Sequence, residues 1–249
     1  MTESIFDAYS RYYDILYADK DYAAESKYVD GLLRRHGVTG SEVLEFGSGT
    51  GGHGRVLSEL GYRVFGIERS AEMVAVSEQS AGFQCQVGDI SAVRLGRYFD
   101  AVISLFHVVS YQISNKSVQA VFERAADHLL TGGVFVFDVW YSPAVCGQRP
   151  SVRVKQLESN RVNITRIAEP TIYPNENRVD VRYRIFAEEL ASGRVESLIE
   201  THPMRHFSLP ELDLFAQMTG FVRVGVEEFL TGREPSDHTW GVCCIFQRC

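Results

Sequence analysis

The 249-residue chain has no apolar run approaching ~18 residues, so no segment reads as a membrane-spanning helix. Its first residues include Asp7, Arg11, Asp14 and Asp19, which leaves no apolar core for a secretory signal. Positive charge is not in excess: 25 Lys and Arg stand against 32 Asp and Glu, a net of −7. A nucleic-acid-binding face and a polybasic membrane tether both need the opposite balance. Five cysteines (Cys85, Cys146, Cys243, Cys244 and Cys249) are odd in number and lack CxxC pairs. They suit reduced thiols in the cytoplasm, not a disulfide or zinc framework. His202 and His206 stand four apart with Pro203 between them, and no third ligand completes a set, so no metal is expected. Internal repeats and low-complexity tracts are absent as well.

What remains is ordinary globular composition, 45% hydrophobic and 23% charged. The length suits one large α/β domain, or one domain carrying an insertion. A helical stripe over 22–36 (Tyr22, Tyr28, Val29, Leu32, Leu33) is followed by short apolar runs alternating with helical segments. Strands are expected at 43–46, 62–67, 83–87, 99–106 and 134–140. Helices are expected at 52–60, at 70–79 behind the N-cap Ser70, and at 115–130 stopped by Gly132 and Gly133. This βαβαβ order predicts a doubly wound, mostly parallel sheet with helices on both faces. From Tyr141 the rhythm changes to period two: Val179, Val181, Tyr183 and Ile185 interleave with Asp180, Arg182 and Arg184. An inserted antiparallel sheet is the expected result. Residues 151–207 carry a net charge of +1, against −8 for the rest of the chain. A helix at 209–219 and two closing strands at 221–229 and 240–246 complete the pattern.

Residues 43–54, VLEFGSGTGGHG, run from a strand into Gly47, Gly49 and Gly51 and then into a helix. Glycines let backbone approach a ligand, and the helix N-terminus offers unpaired N–H groups. Gly47, Gly49 and Gly52 also match the dinucleotide fingerprint, so NAD and S-adenosylmethionine both fit the loop. Glu68 ends the next strand, where a carboxylate accepts both ribose hydroxyls common to the two. Glu45 stands two residues before Gly47, placed to face an amino-acid ammonium group, and Asp89 to accept from an adenine amino group.

The ordered series LEFGSGTG, GIERS, VGDI, FDAVISLF and LLTGGVFVFDVW over 43–140 resembles the motifs of class I S-adenosylmethionine-dependent methyltransferases. The resemblance implies a seven-stranded sheet with one antiparallel strand, the last hairpin completing it. Residues 1–140 with 208–249 would form the cofactor-binding core, and 141–207 an antiparallel platform for substrate or for a second copy in a homodimer. Glu45, Phe46, Gly47, Ser48, Gly49, Thr50 and Gly51 would surround the methionine end, with Glu68 and Arg69 at the ribose. Met73, Asp89 and Ile90 would bound the adenine, and Leu105 and Phe106 would flank the sulfonium. The tyrosine-rich segment AYSRYYDILYADKDY is similar to one that precedes the core in small-molecule methyltransferases, including those acting on nucleotide-linked amino sugars. By that likeness Tyr13 and Tyr22 approach the cofactor, and Tyr13 could act in catalysis.

Methyl transfer needs an unprotonated nucleophile in line with the methyl, in a site that excludes water. A lysine-like amine, with a pKa of ~10.4, is unprotonated in only about one molecule in 2,500 at pH 7. His107 and Tyr111, following the fourth strand, are the candidate base and orienting group. Asp138 is a candidate partner for a substrate ammonium, and Trp140 and Tyr141 for pocket walls. Arg153, Lys155, Arg182 and Arg184 suit the charged outer face of a sheet, or a diphosphate. The reading is a small-molecule methyltransferase, with an amino sugar as acceptor, nucleotide-linked in one form. A sugar hydroxyl with His107 as base, an NAD oxidoreductase and a cofactor-binding regulator without turnover are the rivals.

Overall fold

The computed structural model describes Tyr12 and residues 15–249; Tyr9 and Tyr13 lie outside them. Helix α1 (Tyr22–Arg35) leads into β1 (Glu42–Phe46), α2 (Gly52–Glu59), β2 (Arg63–Glu68), α3 (Ala71–Val76) and β3 (Phe83–Val87). Then come β4 (Phe99–Ser104), α4 (Asn115–Asp127), β5 (Leu129–Tyr141) and α5 (Ser142–Gln148). Four strands follow, β6 (Arg153–Glu158), β7 (Val162–Tyr173), β8 (Arg178–Glu189) and β9 (Val195–Phe207). The chain ends with α6 (Leu209–Met218), β10 (Phe221–Glu228) and β11 (Gly241–Arg248).

Strands β1 to β5 pair in parallel in the order β3-β2-β1-β4-β5. β11 runs antiparallel to β5, and β10 antiparallel to β11. The central sheet is therefore the expected mostly parallel one, with a single reversed strand. Successive residues of its strands are buried on opposite faces. Leu44, Phe46, Val102, Phe135 and Phe137 meet α4 and α6, while Val43, Ala101, Ile103, Val134 and Val136 meet α1 and α2. Helices on both faces explain why these strands read as continuous apolar runs. Phe122 of α4 anchors one face, with edge contacts to Phe135, Phe137, Phe221 and Phe246.

Four expected boundaries move. Helix α4 stops at Asp127, where His128 caps it: the Nδ1–H donates to the Arg124 carbonyl at 2.6 Å and Nε2 accepts from Leu95 N–H at 3.0 Å. Gly132 and Gly133 lie inside β5, where the register against β4 jumps from Phe99↔Leu129 to Ala101↔Val134, a glycine bulge in a strand. Helix α3 ends at Val76, because Ser77 adopts extended backbone and its hydroxyl donates to the Val74 carbonyl. β4 ends at Ser104 and not at Phe106, since Phe106 and His107 both take positive φ, 65° and 62°. Two adjacent non-glycine residues in that region make this a strained turn.

The order β6-β7-β8-β9 is antiparallel throughout. β9 joins the central sheet only at its tip, where His206 and Phe207 pair in parallel with Trp140 and Tyr141 of β5. This contact lies just beyond Ser104↔Phe137, the last pair between β4 and β5. The second sheet thus stands over the carboxyl ends of the parallel strands, where α/β folds bind ligands. Residues 15–21 bridge the two sheets. Leu16 is fully buried among Ile164, Ile185 and Ala187. Lys155 Nζ donates to Asp19 at 2.8 Å and to the Leu16 carbonyl at 3.1 Å. Lys20 pairs with Glu25 and lies 4.0 Å over the Phe106 ring. No helix among the described residues is long and apolar enough to cross a membrane.

Candidate active site

A cavity of about 590 Å³ begins at the glycine loop, passes the end of β4 and reaches the second sheet. At the loop, Gly47 and Ser48 N–H donate to the Ile67 carbonyl at 2.7 and 3.2 Å. Gly49 has a positive φ of 55°, and a Cβ there would meet only Met73 Sδ at 3.9 Å. It would project into the cavity, so Gly49 marks where a ligand approaches the backbone. Gly51 differs: a Cβ there would lie 2.3 Å from the Phe83 ring, and the residue does not line the cavity. Its glycine is required by packing and by the left-handed N-cap of α2. Ser48 and Thr50 do line the cavity; Phe46 does not, being fully buried in the core.

Glu68 lies at the same end. Its carboxylate accepts Gly49 N–H at 2.9 Å on one oxygen and Ser70 N–H at 2.8 Å on the other. Each oxygen keeps a lone pair for a ribose hydroxyl. Met73 and Ile90 give buried apolar wall, and Arg69 an exposed rim. Asp89 is exposed at the rim too, with Oδ1 accepting from both the N–H and the hydroxyl of Ser91. Loop, acid and apolar slot together fit an adenosine-containing amino-acid cofactor.

Glu45 is not in this wall. It is 1% exposed under α2, 3.8 Å from His53 Nδ1, with Oε2 lacking a hydrogen-bond partner among the described residues. Burial, aided by the charge of Glu68 and opposed by Arg55, pushes its carboxyl up to about 8. The strand pleat sends alternate residues to opposite faces, and position 45 falls on the helix side. His53, which the sequence reading passed over, does line the cavity and lies 2.7 Å from Glu25. Tyr22 meets His53 edge-on and packs over Gly52.

Leu105, Phe106 and His107 form the waist. His107 Nδ1 lies 2.6 Å from Asp138 Oδ2, while its backbone N–H donates to both Asp138 oxygens at 3.2–3.3 Å. Asp138 is 1% exposed and does not reach the cavity. Burial alone would raise its carboxyl; the charge and hydrogen bonds of His107, and the charge of Lys20, outweigh that and hold it below the usual value. His107 therefore engages Asp138 through both its ring and its backbone N–H, and Asp138 is not a free partner for a substrate ammonium. Trp140 lines the cavity, but Tyr141 packs on the core.

Beyond the waist stand Tyr111, Arg153, Arg166, Tyr183 and His202. Tyr111 Oη lies 2.9 Å from His202 Nδ1, and His202 Nε2 lies 3.1 Å from Glu200. Burial drives the Tyr111 phenol well above its ordinary value and Tyr183 up to about 12, so both stay protonated at neutral pH. The Arg166 guanidinium lies over the rings of Tyr17 and Tyr183. Of the four basic residues singled out on the second sheet, Arg153 reaches the cavity. Lys155 is engaged by Asp19 and Arg184 by Glu169. Arg166 and His202 were legible as charged or polar side chains on the inward phase of apolar strands, beside Ile164 and Met204.

The methyltransferase-domain family matches residues 43–133, the stretch that holds the loop, Glu68 and the waist, and the whole chain has the fold of solved S-adenosylmethionine-dependent methyltransferases. It is 29% identical over 177 residues to a dTDP-3-amino-3,6-dideoxy-alpha-D-glucopyranose N,N-dimethyltransferase of Streptomyces fradiae, covering 70% of this chain and 69% of that one. It is 28% identical over 176 residues to a dTDP-3-amino-3,4,6-trideoxy-alpha-D-glucopyranose N,N-dimethyltransferase of Streptomyces venezuelae, covering 70% and 74%. Among solved structures, a sugar N-methyltransferase of Streptoalloteichus sp. superposes with a TM-score of 0.83 at 21% identity, over 100% and 95% of the two chains. An S-adenosylmethionine-dependent methyltransferase of Clostridium acetobutylicum gives 0.82 at 17%, over 97% and 99%. These likenesses favour S-adenosylmethionine over NAD as the ligand of the glycine loop.

Proposed function

We propose that this protein methylates the amino group of a nucleotide-linked amino sugar. The observation that carries the reading is the continuity of one cavity from the glycine loop to the second sheet. S-Adenosylmethionine, when bound, supplies an electrophilic methyl group. Gly47, Ser48, Gly49 and Thr50 would hold its methionine end, Glu68 its ribose, and Met73 and Ile90 its base. Leu105, Phe106 and His107 then narrow the cavity where the acceptor must present its nitrogen. Trp140 and Tyr183 offer flat apolar walls for a sugar, and Arg153 and Arg166 offer two cations for a diphosphate. Strands β6 to β9 serve as the acceptor platform. A nitrogen acceptor is preferred to a hydroxyl on two grounds. The relatives named above methylate amino sugars. His107, the base a hydroxyl would require, is committed to Asp138.

The test is release of S-adenosylhomocysteine with dTDP-3-amino-3,6-dideoxy-α-D-glucopyranose and its 3-hydroxy counterpart, with product masses read alongside. Turnover of the amino sugar alone is expected, with one or two methyl additions. Turnover of the hydroxy sugar alone would replace this reading with O-methylation. Cofactor binding without turnover of either would refute the nucleotide-sugar acceptor.

A further inference from the structure

We infer that Trp240, clamped by Gln148, sets the orientation of the Trp140 ring and so fixes the flat wall on which the acceptor's sugar ring is seated. The inference deepens the acceptor reading above, on which it rests, and adds two positioning residues that lie outside the cavity. Trp140 and Trp240 are the only tryptophans of the chain. Trp140 stands where three strands meet, its backbone paired with Gly241 of β11 on one side and with His206 of β9 on the other. Its side chain lines the cavity at the waist, 6.3 Å from His107 between ring centres. The strands fix its Cα, but a half-buried indole at a strand end still has rotamers to choose among. Trp240 makes that choice. Its ring stands at 88° to that of Trp140, 6.0 Å between centres, the edge-to-face arrangement that aromatic pairs prefer.

Trp240 is held in turn. Its indole N–H donates to Gln148 Oε1 at 2.7 Å, and Gln148 Nε2 donates to the Asp237 carbonyl at 3.1 Å. One amide side chain at the end of α5 thus grips the turn 237–240 at both ends. The main chain of the turn is pinned independently. Tyr141 N–H donates to the Trp240 carbonyl at 3.0 Å, and the hydroxyl of Thr239, 1% exposed, donates to Glu228 at 2.9 Å. Loss of the Trp240 or Gln148 side chain therefore leaves the turn in place and frees the Trp140 ring. Neither Trp240 nor Gln148 reaches the cavity, so both act through Trp140. Val145, Val179 and Val181 pack beside the pair without directing it, since apolar contact is non-directional. A sugar ring has a C–H face that packs on an indole, and that contact is made before and during methyl transfer alike. The clamp therefore serves KM, the binding of the acceptor, and not kcat.

The experiment has two arms. The first measures kcat and KM for dTDP-3-amino-3,6-dideoxy-α-D-glucopyranose, and the affinity for S-adenosylhomocysteine by calorimetry. The proteins compared are the wild type, Trp240→Ala, Trp240→Phe, Gln148→Ala and the double variant of Gln148→Ala with Trp240→Ala. Trp240→Ala should raise KM roughly 3- to 10-fold, the fold-change that corresponds to one aromatic pair, with kcat and cofactor affinity unchanged. Trp240→Phe, which keeps a ring edge against Trp140, should recover part of that loss. The double variant should lose no more than Trp240→Ala alone, because Gln148 acts through Trp240. An unmoved KM, an equal fall in cofactor affinity, or additive losses would overturn the proposal. The second arm needs no substrate and so separates this proposal from the acceptor reading. Two indoles held edge-on at 6.0 Å couple their electronic transitions, so the free protein should show a circular-dichroism couplet in the indole bands. Trp140→Phe and Trp240→Phe should each abolish the couplet, and Gln148→Ala should weaken it. A wild type without the couplet, or a couplet that Gln148→Ala leaves intact, would overturn the clamp even if the amino sugar is turned over. The expected couplet changes without turnover would uphold the clamp and overturn the acceptor reading alone. If Trp240→Ala does not fold, Gln148→Ala, at an exposed position, carries the KM comparison in its place.

Discussion

Glu68 joins the glycine loop to the start of α3 through two backbone N–H groups and still faces the cavity. Its replacement by alanine should weaken S-adenosylhomocysteine binding by roughly 1–3 kcal/mol, the size of a charge-assisted hydrogen bond, when read by calorimetry. Unchanged affinity would move the ribose elsewhere. His107 was legible in the sequence as a residue at a strand end, but its contact with Asp138 was not, because the two are 31 positions apart. If His107 serves Asp138 and not the substrate proton, His107→Ala should lower kcat yet keep the acidic limb of its pH profile. Loss of that limb would restore His107 as the base. Glu45 shows the opposite failure. Its spacing from Gly47 pointed to a ligand, and the pleat of β1 turned it into the helix layer.

The segment 15–21 is the element on which the two sheets depend for their common wall. It has no long hydrophobic run of its own, and its order comes from Leu16 in the second sheet and Lys20 over Phe106. Leu16→Ala removes a fully buried side chain, a change that costs ~2–5 kcal/mol where the cavity cannot collapse. Amide exchange over 15–21 should accelerate, and kcat/KM should fall because Tyr17 lines the cavity. Exchange rates unchanged from the wild type would show that the segment is fixed by other contacts. The second sheet was legible as alternation, since inward Val179, Val181 and Ile185 differ so plainly from outward Asp180, Arg182 and Arg184. Its attachment was not. Two residue pairs at the tip of β9 decide it, and no periodicity encodes them.

Across the whole molecule, the buried acid Glu45 sets a pH dependence of stability. Its folded pKa is raised from 4.5 to about 8, so the fold gains from the neutral carboxyl below the unfolded value and loses that gain as pH rises through 8. Glu45→Gln removes the titration. Urea unfolding should show the variant close to the wild type near pH 4 and more stable by about 3–5 kcal/mol at pH 8.5. An advantage that does not grow with pH would mean that Glu45 is ionised in the fold. Apolar helices close both faces of the central sheet around the acid, and that burial is what disfavours its charged form.

Only the family resemblance implied the reversed last strand; the sequence by itself determined the parallel sheet, the glycine loop and the acid after β2. Each is written in local signals: apolar runs bounded by turns, glycines where φ must be positive, and a carboxylate at a strand end. Tertiary structure alone decided which of those residues share the cavity. It withdrew Glu45, Phe46, Gly51, Asp138 and Tyr141 from the wall and supplied His53, Arg166, Tyr183 and His202. The reason is that a side chain's direction follows from the pleat and from what packs over it. The partners here, Tyr111 with His202 and His107 with Asp138, come from strands and turns that only the folded sheets bring together.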